Sequence, residues 1–374
     1  MFTEGLMCRL AASVITSSIV SLHGAGAQGG APTVVPDDPL CPRCTIEVLT
    51  LVTLGSDDGP GSIAGRPMSV NVDARGRYWV FQELEPPTVF TATGAVIQVV
   101  GRKGSGPGEF RAANNGLAIG DSMLVFDWIE SRATIIGPDL KAGRIIRNPY
   151  RSFNGILVSW PDLVVHSGYL HESAPPNSTL HRLSFSGAEP RLLGSFGPRG
   201  SGGSMGSVEV GQILGPGREG RVWSTYWNRA EFTRWTRTGT RELALRRRYD
   251  WYTGETPASP GRPGTPPTPM TASISEDEAG LVWLFIHTPA PTWNDAWPDN
   301  AARQREIRSR DVAWNSLYRT YVEVIDPVRA RVVARQQVDG YILHTLPGGR
   351  AAFYRVDDDG IPRVQIVSLS LSGR

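Results

Sequence analysis

The chain has 374 residues, 40% of them hydrophobic and 20% charged, which is typical of a globular protein with a large buried core. Its formal net charge is only +2 at pH 7, so neither nucleic acid nor an anionic membrane surface is expected as a partner. Beyond the first 27 residues, no segment is apolar enough for a membrane span.

The first 27 residues predict a signal peptide. They contain a short basic start that ends at Arg9, an apolar stretch over residues 10–22, and a small-residue cleavage site, AGA, at 25–27. The apolar stretch is too short to span a bilayer. We therefore expect an exported protein, periplasmic or extracellular, whose mature chain begins near Gln28.

Residues 28–44 form a predicted N-terminal segment with two cysteines, Cys41 and Cys44, in the sequence CPRC. In an oxidising compartment we expect them to form a tight local disulfide. A redox-active pair is the alternative, but that motif usually opens a helix after a strand, whereas here a predicted strand, 46–54, comes afterwards. A zinc half-site would need a second cysteine pair, and haem attachment would need a histidine directly after the second cysteine.

A glycine-rich hook occurs three times along the chain. Its copies are Leu54-Gly55 before SDDGPGSI, Val100-Gly101 before RKGSGPGEF, and Phe196-Gly197 before PRGSGGSM. The first two glycines are 46 residues apart, and the second and third are 96 apart, close to twice that spacing. A repeat of this length indicates one supersecondary unit that must stack on its neighbours to bury its apolar face.

Two further elements recur between the hooks. A turn glycine leads into an aromatic strand in GRYWV at 76–80, GRVW at 220–223 and GLVW at 280–283. An aromatic residue followed by a short polar turn and a glycine occurs in FTATG at 90–94 and WTRTG at 235–239. Both patterns are typical of β-strands joined by hairpins.

Together these elements define a unit of four strands, and such units repeated around an axis form a propeller. We predict an all-β, six-bladed β-propeller over residues 45–374. The predicted blades are 62–101, 109–148, 152–197, 206–250, 272–335 and 340–371. The last blade has three strands of its own, so we expect the N-terminal strand 46–54 to complete it beside residues 364–369, which removes two exposed edges.

The fragment GRKGSGPGEF at 101–110, with the preceding GRYWV strand, resembles NHL-type six-bladed propellers of exported bacterial proteins, a functionally uncharacterised group. The CxxC pair after the leader, followed by a strand and a GPG hook, is similar to members of the same group. The resemblance covers essentially the mature chain, and its motifs are sharpest between residues 41 and 140. These motifs are structural, so the resemblance implies a fold and not an activity.

The predicted ligand-binding surface is one rim of the propeller. Loops between blades open on the same face as loops between the second and third strands of each blade. An insertion in blade five, 287–317, and a Pro/Gly tract, 253–269, therefore share a face with shorter aromatic loops. The predicted ligand-binding residues there are Trp128, Glu130, Trp227, Asn228, Arg229, Trp293 and Trp297. Tryptophans in such loops can instead fill gaps between blades.

We interpret the chain as a non-catalytic binding module without a cofactor, and its expected partner is a glycan, a peptide or another exported protein. The alternative is a metal-dependent hydrolase or lyase whose calcium or zinc ion lies in the central channel. The candidate ligands for such a metal are Asn71, Glu209, Gln212 and His344. A catalytic metal needs three or four convergent protein ligands, and the histidines of the mature chain are scattered singly.

Residues 357–360, with the sequence DDDG, could hold calcium through their carboxylates. They lack the spaced ligand series of a dedicated calcium loop, so we expect a tight hairpin turn there.

Overall fold

Six four-stranded antiparallel sheets follow one another along the chain in the computed structural model, which describes residues 30–63, 67–147, 153–167, 178–199, 212–252, 261–297 and 314–373. The predicted signal peptide, the candidate ligand Glu209 and the middle of the blade-five insertion lie outside these residues. Two strands precede the first blade: β1 (Thr33–Val35) and β2 (Thr45–Leu54).

The first three blades are consecutive in sequence. Blade one contains β3 (Pro67–Val72), β4 (Tyr78–Gln82), β5 (Thr88–Phe90) and β6 (Val96–Val99). The hook that follows it contains β7 (Arg102–Lys103) and β8 (Glu109–Phe110). Blade two contains β9 (Ala113–Ile119), β10 (Ser122–Asp127), β11 (Arg132–Ile136) and β12 (Ala142–Arg147). Blade three contains β13 (Phe153–Ser159), β14 (Asp162–Ser167), β15 (Ser178–Ser184) and β16 (Arg191–Arg199).

The remaining blades complete the ring. Blade four contains β17 (Gln212–Pro216), β18 (Val222–Tyr226), β19 (Glu231–Trp235) and β20 (Arg241–Arg247). Blade five contains β21 (Met270–Glu276), β22 (Val282–Pro289), β23 (Tyr318–Asp326) and β24 (Arg331–Val338). Blade six contains β25 (Tyr341–Leu346), β26 (Arg350–Val356), β27 (Pro362–Ser372) and β2. Each inner strand contacts the inner strands of both neighbouring blades, so the six blades form a closed propeller, as the sequence predicted.

The second strand of a blade is buried on both faces because a neighbouring blade packs against each of them. All five residues of β4 (YWVFQ) are buried, and all but the last of the eight in β22. An outer strand such as β12 instead alternates little and is mostly exposed. This radial gradient explains why second strands appear in the sequence as continuous apolar runs rather than as alternating patterns.

The hook between blades one and two brings Phe110 into the space between their sheets. Phe110 is buried there against residues of both blades, including Trp79 and Met123. The hook needs glycine at 101, whose φ is +81°, because a Cβ atom there would lie 2.4 Å from the carbonyl oxygen of Gly108. The repeated hooks therefore connect and pack neighbouring blades.

The ring closes where the two ends of the described chain pair. Strand β2 runs antiparallel to β27, from Thr45 opposite Ser372 to Leu54 opposite Val364. This confirms the predicted pairing of residues 46–54 with 364–369. Ile46 is buried between blades five and six, and Leu54 between blades six and one.

The chain before β2 is a strap across the outer edges of blades four and five, which the sequence did not reveal. Strand β1 extends blade four as a fifth strand, parallel to β20. The backbone amide of Leu40 then donates to the carbonyl of Val332 on the outer strand of blade five (2.6 Å). Cys41 and Cys44 form the predicted disulfide, next to the start of β2.

A buried ion pair holds blade four, blade five and this strap together. The guanidinium of Arg247 in β20 donates twice to the carboxylate of Glu323 in β23, at 2.8 and 2.9 Å. Both side chains are at most 1% exposed. Arg247 also donates to the carbonyl of Val35 (3.0 Å) and to the carboxylate of Asp37 (2.9 Å), and its hydrogen bond is the main reason that the pKa of Asp37 is lowered.

We expect Arg247→Ala to lower the free energy of unfolding by about 3–5 kcal/mol, because it leaves the Glu323 carboxylate buried without a cation. The matched control is Arg246→Ala. Arg246 pairs with Glu231 but its side chain is 43% exposed, so the loss there should stay below about 1 kcal/mol. Chemical denaturation of both variants measures the difference, and equal losses would contradict the role given to Arg247.

Candidate functional site

The first turn of blades one and five shares a side-chain bridge that shapes one face of the propeller. Asp73 and Asp277 each accept a hydrogen bond from the backbone amide four residues later, at 3.1 and 2.9 Å. Each also accepts one from the indole of Trp79 or Trp283, at 2.9 Å in both blades. The sequence analysis used the glycine and tryptophan of this motif and missed the aspartate, although it stands three residues before the glycine in both copies.

A cavity of about 740 Å³ lies in the central channel on the face formed by these first turns. All six inner strands contribute to its wall near their carboxyl ends. One residue from each of them is Asn71, Leu117, Ile156, Leu214, Ser275 and His344. The turns after β21 and β25 form part of its edge through Asp277, Glu278, Pro347 and Gly348. The cavity is therefore a product of the closed ring and belongs to no single blade.

The wall is mainly apolar, with a few polar groups. The Asn71 side chain donates to the side chain of Asn115 (3.4 Å). Arg350 donates to the carbonyl of Pro347 (2.9 Å) and to the hydroxyl of Tyr78 (3.3 Å), and within the described residues it has no carboxylate partner. Glu278 is exposed at the edge of the cavity. Charges of both signs thus border an apolar space.

His344 lies in the wall of this cavity, on the inner strand of blade six. Burial lowers the pKa of His344 to about 4, so its imidazole is neutral at pH 7. Among the described residues it has no hydrogen-bond partner, and part of its surface faces the channel. A neutral imidazole in this position can donate one hydrogen bond and accept another.

The four predicted metal ligands do not form one group. Asn71 and His344 both line the cavity, but the side chain of Gln212 is buried against Thr179, with a hydrogen bond of 2.9 Å. Glu209 lies outside the described residues. In the part of the chain that the structure describes, no three His, Cys, Asp or Glu side chains converge as a metal site. A metal in the channel stays a prediction.

Part of the predicted rim comes together at the junction of blades four and five. The carbonyl of Trp227 accepts from the amide of Thr271 and from the hydroxyl of Tyr252, both at 2.7 Å. The Asn294 side chain accepts from the amide of Gly264, which joins the insertion to the Pro/Gly tract (2.9 Å). These contacts place the loop after β18 beside the insertion.

The individual rim residues at this junction differ in burial. Asn228 is 2% exposed, whereas Trp227 and Arg229 are half-buried. Trp293 opens a short 3-10 helix, Trp293–Ala296, and is also half-buried. Trp297 packs against Leu317 and Tyr318 at the base of the insertion. Each of these side chains therefore has some packing role, whatever else it contacts.

The insertion in blade five is shorter than predicted. Strand β22 continues to Pro289, which pairs with Tyr318 at the start of β23. His287 therefore lies within the sheet, where its imidazole is within 3.0 Å of the carbonyl of Ile342 in blade six. The sequence overestimated the loop because the strand remains apolar only as far as Ile286.

Trp128 and Glu130 lie at another junction, between blades one and two. Glu130 accepts from the hydroxyl of Ser105 (2.9 Å) in the hook, and Arg111 pairs with it at 3.5 Å. Trp128 is 43% exposed. Blades two and four are not neighbours, so the seven predicted residues form two separate groups.

The DDDG sequence forms a tight hairpin turn between β26 and β27, as expected. The carboxylate of Asp357 accepts from the amides of Asp359 (3.1 Å) and Ile361 (2.8 Å), and it also pairs with Arg363. The backbone hydrogen bond from Ile361 is the largest contribution to the lowered pKa of Asp357. This carboxylate is thus used within the turn.

His344 should make folding stability depend on pH. Its pKa is about 4 in the folded protein and 6.5 as a free side chain, so the unfolded chain binds more protons below pH 6.5. Between pH 6.5 and 4 the wild type should lose about 1–3 kcal/mol more stability than His344→Gln, and above pH 7 the difference should not change with pH. Urea denaturation at several pH values measures this, and identical pH profiles would contradict it.

Comparison with known proteins identifies the fold and no family. No protein-family model and no curated protein matches the chain. The chain aligns over 88% of its length with 99% of a DUF4221 family member from Bacteroides vulgatus ATCC 8482, with a TM-score of 0.58 and 10% identity. It also aligns over 90% of its length with all of a candidate exported protein from Bacteroides fragilis NCTC 9343, with a TM-score of 0.56 and 9% identity.

At these identities the likeness shows the fold alone. The chain shares its propeller fold with these Bacteroides proteins, and the narrower NHL type stays a prediction from the hook motif. Across the described ranges, no helix is long and apolar enough to cross a membrane.

Proposed function

We propose that the protein is an exported binding module that holds a small organic ligand in its central cavity. The observation that carries this proposal is the cavity itself. Its volume of about 740 Å³ is within the range of roughly 300–1,000 Å³ that is usual for small-molecule sites. A rigid ring of six blades forms its wall, so little ordering is needed when a ligand binds.

The chemistry of the wall supports a mainly apolar ligand with a few polar groups. Leu117, Ile156 and Leu214 provide apolar surface from three different blades. His344 offers a neutral hydrogen-bonding group, and Arg350 offers a cation that has no carboxylate partner among the described residues. Few convergent polar groups in an apolar wall are the usual means of orienting a ligand.

Two observations support export. Residues 1–27 have the pattern of a signal peptide, and the disulfide between Cys41 and Cys44 suits an oxidising compartment. One structural neighbour is itself a candidate exported protein. We therefore propose a periplasmic or extracellular location.

The aromatic rim predicted from the sequence is a second candidate surface, for a glycan, a peptide or another exported protein. The exposed indole of Trp128 and the joined loops of blades four and five support it. Because the rim and the cavity lie on opposite faces of the propeller, the two surfaces can be tested separately.

Filling the cavity should abolish binding of an apolar anionic probe, anilinonaphthalene sulfonate. The probe suits the apolar wall and Arg350 and should bind the folded wild type with one-to-one stoichiometry. Ser275→Phe places a ring in the lumen and should weaken binding by about tenfold or more. Val328→Phe adds the same ring at a position that is 89% exposed and should leave the affinity unchanged. Fluorescence titration decides, and equal affinities for the three proteins would contradict the cavity site.

A metal-dependent hydrolase or lyase is the alternative, and the position of Asn71 and His344 in one cavity favours it over other enzyme classes. If it were correct, the purified protein would contain about one calcium or zinc ion per chain, since a catalytic site holds its metal with several protein ligands. Our proposal predicts the same metal content, near zero, in the wild type and in His344→Ala by plasma mass spectrometry. Stoichiometric metal that His344→Ala loses would instead establish the enzyme.

A further inference from the structure

We propose a carbohydrate-binding site at the junction of blades four and five, where the indole ring of Trp251 provides a stacking surface for a sugar ring. Trp251 lies between β20 and β21, in the connection that leads from blade four to blade five. This site is on the face opposite the central cavity and does not depend on the function proposed for the cavity.

Three tyrosines support the indole. The ring centroid of Trp251 is 4.6 Å from that of Tyr249 and 6.1 Å from that of Tyr252, with interplanar angles of 31° and 13°. Tyr321 of blade five meets the indole edge-on at 5.2 Å. Trp251 is nevertheless 43% exposed, so a large part of the ring remains open to solvent.

The supporting rings are held in place by hydrogen bonds. The hydroxyl of Tyr249 donates to the buried carboxylate of Glu323 (2.6 Å), and the hydroxyl of Tyr252 donates to the carbonyl of Trp227 (2.7 Å). The guanidinium of Arg247 lies over the Tyr249 ring, 4.7 Å from its centroid. The buried ion pair between blades four and five is therefore the base on which the exposed indole rests.

Such an arrangement does not serve folding alone. An indole that is held rigid and left exposed gives up hydrophobic free energy that further burial would provide. Rigid aromatic side chains in loops are instead effective contact surfaces, because few side-chain torsions remain to be ordered on binding. The exposure and the rigid support together indicate a surface prepared for a ligand.

The groups around the indole favour a carbohydrate over a protein partner. A pyranose ring has one face of C–H groups, which packs on an aromatic ring, and an edge of hydroxyl groups, which need hydrogen-bonding partners. Arg248 and Asp250 flank Trp251 in sequence, and both are exposed without an ion pair to any described residue. A protein interface would be expected to present a wider apolar patch around the ring.

The sequence analysis placed a ligand on this rim but did not include Trp251. It emphasised Trp227, whose carbonyl accepts from Tyr252 next to Trp251. The two tryptophans cannot be ranked from the sequence, because exposure depends on how blade five packs against the connection. The structure leaves the indole of Trp251 more open than that of Trp227.

The test is binding of the purified protein to an array of plant, fungal and bacterial oligosaccharides, followed by calorimetric titration with the oligosaccharide that binds best. We expect the wild type to bind, and Trp251→Ala to lose at least tenfold in affinity. The matched control is Trp128→Ala, which removes an indole of equal exposure, 43%, at the other junction and should bind like the wild type.

Arg248→Ala and Asp250→Ala provide a second readout that does not disturb the packing of the aromatic rings. Each should weaken binding about threefold or more while leaving the melting temperature unchanged. Absence of any array binding by the wild type would overturn the proposal. Equal losses for Trp251→Ala and Trp128→Ala would overturn it as well, as would normal binding by Arg248→Ala and Asp250→Ala together with a lowered melting temperature for Trp251→Ala.

Discussion

The pairing of β2 with β27 is the constraint on which the rest of the structure depends. Each blade buries its two faces only against its neighbours, so an open ring would leave two apolar sheet faces in water. Closure joins segments more than 300 residues apart, with Ile46 opposite Leu371. All six inner strands must be in place before the central cavity exists, so the cavity depends on this closure as well.

A second set of long-range contacts strengthens the same region. The strap from β1 to the disulfide crosses blades four and five before it enters blade six as β2. Arg247 is central to it, because a single guanidinium contacts Glu323, Val35 and Asp37. A buried ion pair adds little net stability compared with apolar packing, but it requires defined partners and so determines how the blades and the strap align.

The two faces of the propeller differ in chemistry. On one face, aspartate-supported turns surround a cavity with a mainly apolar wall and the neutral imidazole of His344. On the other face, the connections between blades present aromatic rings, among which Trp251 is exposed and supported by tyrosines. A rigid scaffold can hold both surfaces because the loops contribute little to its stability.

The sequence by itself determined the blade pattern, the closing strand, the disulfide and the DDDG turn, because each depends on residues close in sequence or on a repeated pattern. It missed β1, since three residues (TVV) have no periodicity, and it extended the blade-five insertion back to His287. Only the tertiary structure decided that His344 faces a cavity and that Trp251 stays exposed. Burial of a side chain is set by segments that are far apart in the chain and meet only when the ring is closed.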